Sequence, residues 1–238
     1  PAASVAVIDN GKLEWAKGYG FADERHTRAV DEHTLFQAGS ISKSLTAFGA
    51  LLLVEQGKLS LDRDVNTYLS RWKVQENALT KKSKVTLRRL LSHTAGTSVS
   101  GFPGYPEGST LPSLIDVLNG NKPYANTDAV TVTEEPGSRY QYSGGGTTIV
   151  QLLIEEVTKE PFEKWMKSNV LLPLGMREST FAHPIPKELK DKTLSGYHRG
   201  GIPIEGERHA YPEMGAAGLW TTPADLAQFI LYIQQIGR

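Results

Sequence analysis

The strand signals of this 238-residue chain are concentrated in its first 20 residues, and this distribution restricts the possible folds more than any other feature. Residues 4–20 carry apolar side chains at alternate positions on both sides of the turn sequence Asp9-Asn10-Gly11, a pattern that predicts a β-hairpin. A two-stranded hairpin is marginally stable alone, so it needs further sheet partners. The weak strand candidates at 131–133 and 218–220 are too few to build a convincing sheet.

The rest of the chain is predicted to be helix and loop. Apolar residues recur at helical spacing over 40–57, and further helices are predicted at 86–93 and 147–159. Another helix is predicted to start at Thr222, a capping residue that is followed by a proline and then a carboxylate. Residues 97–136 are rich in Gly, Pro, Ser and Asn, which predicts loops with short pieces of structure.

The composition excludes several classes of function. The chain has no cysteine, which excludes thiol catalysis, zinc ribbons and iron–sulfur clusters. Its 26 basic and 26 acidic side chains cancel without forming a basic block, so we expect no nucleic-acid partner. The longest apolar run, 50–54, is far shorter than the ~20 residues of a membrane span. The six histidines are scattered, so we expect no metal and no cofactor.

The sequence Ser40-Ile41-Ser42-Lys43 at the start of a predicted helix is the strongest candidate for a catalytic site. Residues three apart share a helix face, which places the Lys43 ammonium beside the Ser40 hydroxyl. A serine hydroxyl is a poor nucleophile until a neighbouring base takes its proton or a cation stabilises the alkoxide. The positive end of the helix dipole adds to that stabilisation.

Two other interpretations compete with this assignment. Ser70-Arg71-Trp72-Lys73 has the same spacing, but its charged and polar flanks indicate a solvated surface turn. The pair Ser40 and Lys43 alone also leaves open that the serine is only a helix cap and the lysine a surface charge.

Residues 36–47, Phe-Gln-Ala-Gly-Ser-Ile-Ser-Lys-Ser-Leu-Thr-Ala, resemble the nucleophile segment of the serine β-lactamase and penicillin-binding protein superfamily. The resemblance is greatest to the branch with class C β-lactamases, D,D-carboxypeptidases and related esterases. Segments similar to that branch recur in the same order at 90–96, 136–143, 173–176 and 216–222, so the resemblance covers essentially the whole chain.

The resemblance implies an α+β fold of the β-lactamase/transpeptidase type, in which an antiparallel sheet is flanked by helices and joined to a mainly helical domain. On that basis residues 1–60 are predicted to begin the α/β domain, 61–215 to form the mainly helical domain, and 216–238 to return to the α/β domain. The same resemblance implies a location outside the cytoplasm, in the periplasm or cell envelope, although the chain shows no signal peptide.

The second motif of this superfamily is Y-x-N or S-x-N, and two segments compete for it. Tyr124-Ala125-Asn126 matches literally but lacks the expected flanks, whereas Tyr142-Ser143-Gly144 has Pro-Gly upstream and an apolar helix downstream. We therefore select Tyr142, which can act as a base if a cation such as Lys43 lowers its pKa. A buried structural tyrosine is the alternative.

Gly144 is a departure from the superfamily, which has asparagine there to offer its amide to the substrate. Glycine removes that hydrogen-bonding group, which puts efficient β-lactam hydrolysis in doubt and leaves ester or peptide substrates open. We assign Gly144 to substrate binding, because the run of three glycines 144–146 can let a substrate approach the backbone.

The third motif, K-T-G or H-x-G, is not found at its expected place. No K-[ST]-G exists, and His198-Arg199-Gly200 precedes the 216–222 segment, whereas the superfamily places the motif after it. We therefore expect the third motif and the C-terminal strands to lie outside this chain. We expect a second polypeptide to supply them; the alternative is that the chain is an inactive truncation.

The combined prediction is a serine hydrolase. Ser40 attacks an amide or ester carbonyl of a small molecule or peptide, Lys43 and Tyr142 share the proton transfers, and water releases the acyl group. Which of Lys43 and Tyr142 is the base stays open. The alternative is a penicillin-binding sensor that does not turn over. His93 is interpreted as a structural hydrogen-bonding residue at a helix end.

Overall fold

The predicted N-terminal hairpin is present in the computed structural model, which describes residues 2–237. Strand β1 (Ala2–Asp9) pairs antiparallel with β2 (Lys12–Gly20), in register from Ala2 opposite Gly20 to Val7 opposite Trp15. The two residues between the strands, 10 and 11, both have positive φ, the conformation that a tight hairpin turn requires.

Four short strands form two further two-stranded sheets among the described residues. Strand β3 (Phe36–Gln37) pairs with β6 (Trp220–Thr221), and β4 (Tyr105–Pro106) pairs with β5 (His209–Ala210). The strand predicted near 218–220 is therefore present at Trp220–Thr221, which overlaps the predicted range at residue 220. The candidate at 131–133 is wrong as a strand, because only an isolated bridge between Thr97 and Val132 forms there.

Eight α-helices follow the hairpin in the part of the chain that the structure describes. They are α1 (Ser42–Glu55), α2 (Ala78–Lys82), α3 (Leu87–Leu91), α4 (Leu114–Asn119), α5 (Gly144–Thr158), α6 (Phe162–Met166), α7 (Met214–Ala217) and α8 (Pro223–Ile236). Helices α1, α3, α5 and α8 match the predicted segments. The mixture of helices and strands confirms the predicted α+β class.

Helix α5 begins three residues earlier than predicted. Its cap is Ser143, whose Oγ accepts the N–H of Gly146 at 2.8 Å, so the glycine run forms the first turn. Three glycines are poor helix formers, and the helix predicted from the sequence starts only after them, at 147. The buried cap and the packing around this turn override that preference.

Helices α1 and α5 lie at the centre of the main core, and the short helix α7 contacts both of them. Fully buried apolar side chains join these helices to α6, among them Leu45, Leu53, Ile149, Leu152 and Phe162. Helix α8 packs on the hairpin strands β1 and β2. The predicted division at 60/61 and 215/216 stays a prediction.

No helix between residues 2 and 237 is long and apolar enough to span a bilayer. The longest, α5, has 15 residues.

Candidate active site

Ser40 lies in a 3-10 turn, Gly39–Ile41, that leads directly into α1. Lys43 is in the first turn of α1, and its Nζ donates to the Ser40 Oγ at 3.0 Å and to the Ala216 carbonyl oxygen at 2.8 Å. Ser40 is exposed, whereas Lys43 is partly buried. The site therefore offers a solvent-accessible hydroxyl in contact with an anchored amine.

The structure does not give Ser40 the role of a helix cap. Helix α1 begins at Ser42, the residue in the cap position is Ile41, and no side chain caps this end. The hydroxyl of Ser40 is thus available to Lys43 and to solvent. The interpretation of Ser40 as only a cap is wrong.

Hydrogen bonds between α1 and the α7 segment fix the position of Lys43. Thr46 Oγ1 donates to the Gly215 carbonyl at 2.9 Å, one residue before the carbonyl that accepts from Lys43. Ser42 Oγ accepts the N–H of Leu219 at 3.0 Å. These buried polar contacts hold α1 and the segment containing α7 in a fixed relative position, so the lysine amine has a defined place beside the serine.

Tyr142 lies next to Lys43. The lysine Nζ is 5.1 Å from the centre of the tyrosine ring, and 38% of the tyrosine surface is exposed. Burial alone would raise the pKa of Tyr142, but hydrogen bonds with Ser40 and Lys43, together with the charge of Lys43, lower this pKa. The structure thus brings the three predicted catalytic side chains together; their catalytic roles stay predictions.

His93 joins this group, although the sequence indicated only a structural role for it. Its ring centre lies 4.5 Å from that of Tyr142, and its Nδ1 accepts the N–H of Ser143 at 3.2 Å. Burial, and then the positive charge of Lys43, lowers the pKa of His93. The signal that could have located it is the 90–96 segment, whose helix-to-loop motif contains this histidine.

Gly144 is buried at the start of α5, directly after the Tyr142 loop. Its N–H donates to the Ser100 carbonyl at 3.1 Å, and a Cβ on it would lie 3.1 Å from both that oxygen and the Phe102 ring. The absence of a side chain therefore allows the loop at 97–102 to lie against the helix. The assignment of Gly144 to substrate binding stays a prediction.

Ser70 of the second S-x-x-K sequence makes different contacts. Its Oγ donates to the buried Glu156 carboxylate at 2.7 Å, and the Lys73 amine donates to the Asn66 carbonyl. Burial raises the pKa of Glu156, but hydrogen bonds from Arg71 and Ser70 outweigh that effect and lower it to about 2. Ser70 therefore helps to hold the Glu156 carboxylate, which forms an ion pair with Arg71, and this gives the segment a structural role.

The two segments that match the second and third superfamily motifs literally, 124–126 and 198–200, also make structural contacts. Asn126 donates from Nδ2 to the Gly104 carbonyl at 2.8 Å, and its N–H donates to the Tyr105 hydroxyl at 3.0 Å. His198 is exposed in a turn where its N–H donates to the Ile202 carbonyl at 2.7 Å.

Known proteins resemble this chain over nearly its whole length. Protein flp of Staphylococcus aureus (strain MRSA252) is 28% identical over 229 residues, covering 94% of this chain and 42% of that protein. The putative penicillin-binding protein PbpX of Bacillus subtilis (strain 168) is 28% identical over 230 residues, covering 94% and 52%. The chain thus spans about half the length of the curated relatives it matches.

A solved structure has the same fold. The octameric penicillin-binding protein homologue from Pyrococcus abyssi superposes with a TM-score of 0.76 at 26% identity, covering 99% of this chain and 53% of that one. This likeness confirms the predicted β-lactamase/transpeptidase-like architecture. A sequence profile described as Beta-lactamase matches residues 1–237. The chain belongs to the beta-lactamase family.

Proposed function

We propose that this chain carries the nucleophile half of a serine hydrolase that forms a covalent acyl-enzyme on Ser40. The contact that supports the proposal most directly is the 3.0 Å hydrogen bond from Lys43 Nζ to Ser40 Oγ. Tyr142 next to this pair supplies a third group that can accept or return a proton.

We assign the proton transfer in acylation to Tyr142 and the electrostatic role to Lys43. The lowered pKa of Tyr142 increases its phenolate fraction, and a phenolate can take the proton from the Ser40 hydroxyl as that oxygen attacks the carbonyl. The Lys43 amine, which donates to both Ser40 Oγ and the Ala216 carbonyl, stabilises the developing negative charge. Return of the proton to the leaving group completes acylation, and water then releases the acyl group.

The substrate is an acyl compound that reaches an exposed serine, such as an activated ester, a D-Ala-D-Ala-type peptide or a β-lactam. Glycine at 144 has no side-chain amide to bind an acyl-amide group, which favours the ester among these. A location outside the cytoplasm belongs to the same proposal because the family resemblance implies it. Fractionation of producing cells would test that location.

The decisive experiment is intact-mass analysis after long incubation with a labelled penicillin and, separately, with p-nitrophenyl acetate. We expect one acyl adduct per chain with at least one reagent, and peptide mapping should place it in the segment 36–58 that contains Ser40. Absence of both an adduct and product release, or an adduct elsewhere, contradicts the proposal. Release of product beyond one equivalent identifies turnover, whereas a stop after one equivalent identifies the sensor alternative.

The hairpin has an edge with which a further strand can pair. Within residues 2–237, strand β1 pairs only with β2, and its other edge is left without a backbone partner. The end of β2 is different, because the Gly20 carbonyl accepts the Val30 N–H at 2.9 Å. Val5, Trp15 and Tyr19 each expose 40% or more of their surface on the same hairpin. A free edge beside exposed apolar side chains is a surface that favours strand pairing.

We propose that a second polypeptide supplies strands along β1 and one backbone donor of the oxyanion hole. We expect the chain alone to acylate slowly, since the Ser40 N–H then acts without its partner, and loss of one such donor costs about 10² to 10³ in rate. Hydrogen exchange at β1 should be fast in the chain alone. Slow exchange at β1 together with multiple rapid turnovers, in a sample that light scattering shows to be monomeric, contradicts this part of the proposal.

A further inference from the structure

His93 holds both neighbours of Tyr142 through two different atoms. Its backbone carbonyl accepts the Gln141 N–H at 2.7 Å, and its imidazole Nδ1 accepts the Ser143 N–H at 3.2 Å. The residue lies just after α3 with φ of +55°, a conformation that few non-glycine residues adopt. The two contacts fix the backbone on both sides of the tyrosine.

These contacts also fix the charge of the imidazole. A nitrogen that accepts the Ser143 N–H carries no proton, so the other ring nitrogen, Nε2, bears the hydrogen and the ring is neutral. Lys43 of α1 acts on the charge of the ring, and the phenols of Tyr140 and Tyr142 face it with their ring centres 5.9 and 4.5 Å away. A second cation on the imidazole would be repelled by the Lys43 ammonium.

We propose that His93 is a positioning residue that, in its neutral form, clamps the Tyr142 loop so that the phenol stays beside Ser40 and Lys43. This inference rests on the proposed role of Tyr142, although it concerns the loop geometry and can be measured without turnover. Protonation removes the acceptor of the Ser143 N–H, so the clamp opens and the phenol moves away from the lysine.

The clamp predicts an acid limb in the pH dependence of activity. The pKa of His93 is lowered by burial and by Lys43, so the imidazole stays neutral to lower pH than an ordinary histidine. Activity that depends on the clamp is therefore present above the ordinary histidine pKa and is lost as the pH falls through the lowered value. A variant with no titrating group at 93 should lack this loss.

Two variants distinguish the role of the Nδ1 acceptor of His93 from the role of its aromatic ring. His93→Asn keeps an acceptor near the Nδ1 position, tolerates positive φ and cannot titrate in this range. His93→Phe keeps an aromatic ring but leaves the Ser143 N–H without its acceptor. The matched control is His33→Asn, which changes an exposed histidine whose partner is Glu178. Circular dichroism melting checks that all three variants fold.

The first readout is the titration of Tyr142 followed by ¹³Cζ-tyrosine NMR, with Tyr142→Phe used to assign its resonance. We expect the pKa of Tyr142 to lie below the ordinary ~10 in the wild type and in His93→Asn, and to return toward it in His93→Phe. The second readout is the pH profile of kcat/KM with p-nitrophenyl acetate. The kcat/KM of His93→Phe should fall by roughly 10²-fold, since misplacement of a catalytic group costs about that much. The kcat/KM of His93→Asn should fall by less than about tenfold, because the acceptor is kept.

The part of the acid limb that comes from protonation of His93 should be missing in both His93 variants and unchanged in His33→Asn, while the loss caused by protonation of the Tyr142 phenolate remains in all of them. A folded His93→Phe with the wild-type Tyr142 titration overturns the clamp, as does an unchanged acid limb in both His93 variants. If the wild type forms no acyl-enzyme, the proposed function fails, and the clamp is judged by the Tyr142 titration alone.

Discussion

Replacing Ser40 with alanine is expected to abolish the acyl adduct and to lower hydrolysis by roughly 10⁴-fold or more. The hydroxyl is the only group of Ser40 that can form the covalent bond, and the Lys43 Nζ loses the oxygen to which it donates at 3.0 Å. Because Ser40 is exposed and does not cap α1, its removal should leave the melting temperature nearly unchanged. Intact mass and steady-state ester hydrolysis measure the two effects.

Ser70→Ala is the matched control, because it removes the serine of the second S-x-x-K sequence. Its hydroxyl donates to Glu156, so this variant is expected to lose some stability while keeping the adduct. An adduct that persists in Ser40→Ala, or one that disappears in a folded Ser70→Ala, would show that the wrong serine has been assigned.

Replacing Lys43 with methionine is expected to lower the acylation rate by roughly 10³-fold. Methionine has a similar length and fills the space, but it has no charge and no donor for Ser40 Oγ or the Ala216 carbonyl. Loss of the positive charge should also raise the pKa of Tyr142, because hydrogen bonding and charge from Lys43 help to lower it. Stopped-flow acylation with p-nitrophenyl acetate gives the rate, and ¹³Cζ-tyrosine NMR gives the pKa.

Lys73→Met is the control for this variant, since Lys73 is exposed and lies in the other S-x-x-K sequence. It should leave both the acylation rate and the Tyr142 titration at wild-type values. Wild-type acylation in a folded Lys43→Met chain would remove the lysine from the mechanism and leave Tyr142 alone with Ser40.

The elements with strong local patterns could be predicted because their signals lie within a few residues. The period-two pattern with Asn10-Gly11 predicts the hairpin, and Thr222-Pro223 predicts the start of α8. The short helices α2, α4, α6 and α7 were missed. They have only four to six residues, too few for a periodic pattern. Helix α3 is as short, but the capping residue Thr86 marks its start.

Burial overrides local preference where the prediction failed. Three glycines disfavour a helix by propensity, yet they form the first turn of α5 because the 97–102 loop approaches it too closely for side chains. Residues 131–133 have β-forming side chains but form a single bridge, because the neighbouring segment around Thr97 does not extend the pairing beyond that bridge.

By itself the sequence determined the pair Ser40 and Lys43, because a spacing of three residues at a helix start brings the two side chains together by local geometry. Tyr142 was selected by its flanking residues. Only the tertiary structure decided what surrounds them: Ala216 anchors the lysine from α7, and His93 holds the residues on both sides of the tyrosine. These contacts join residues 48 to 173 positions apart, and such pairs leave no periodic trace in the sequence.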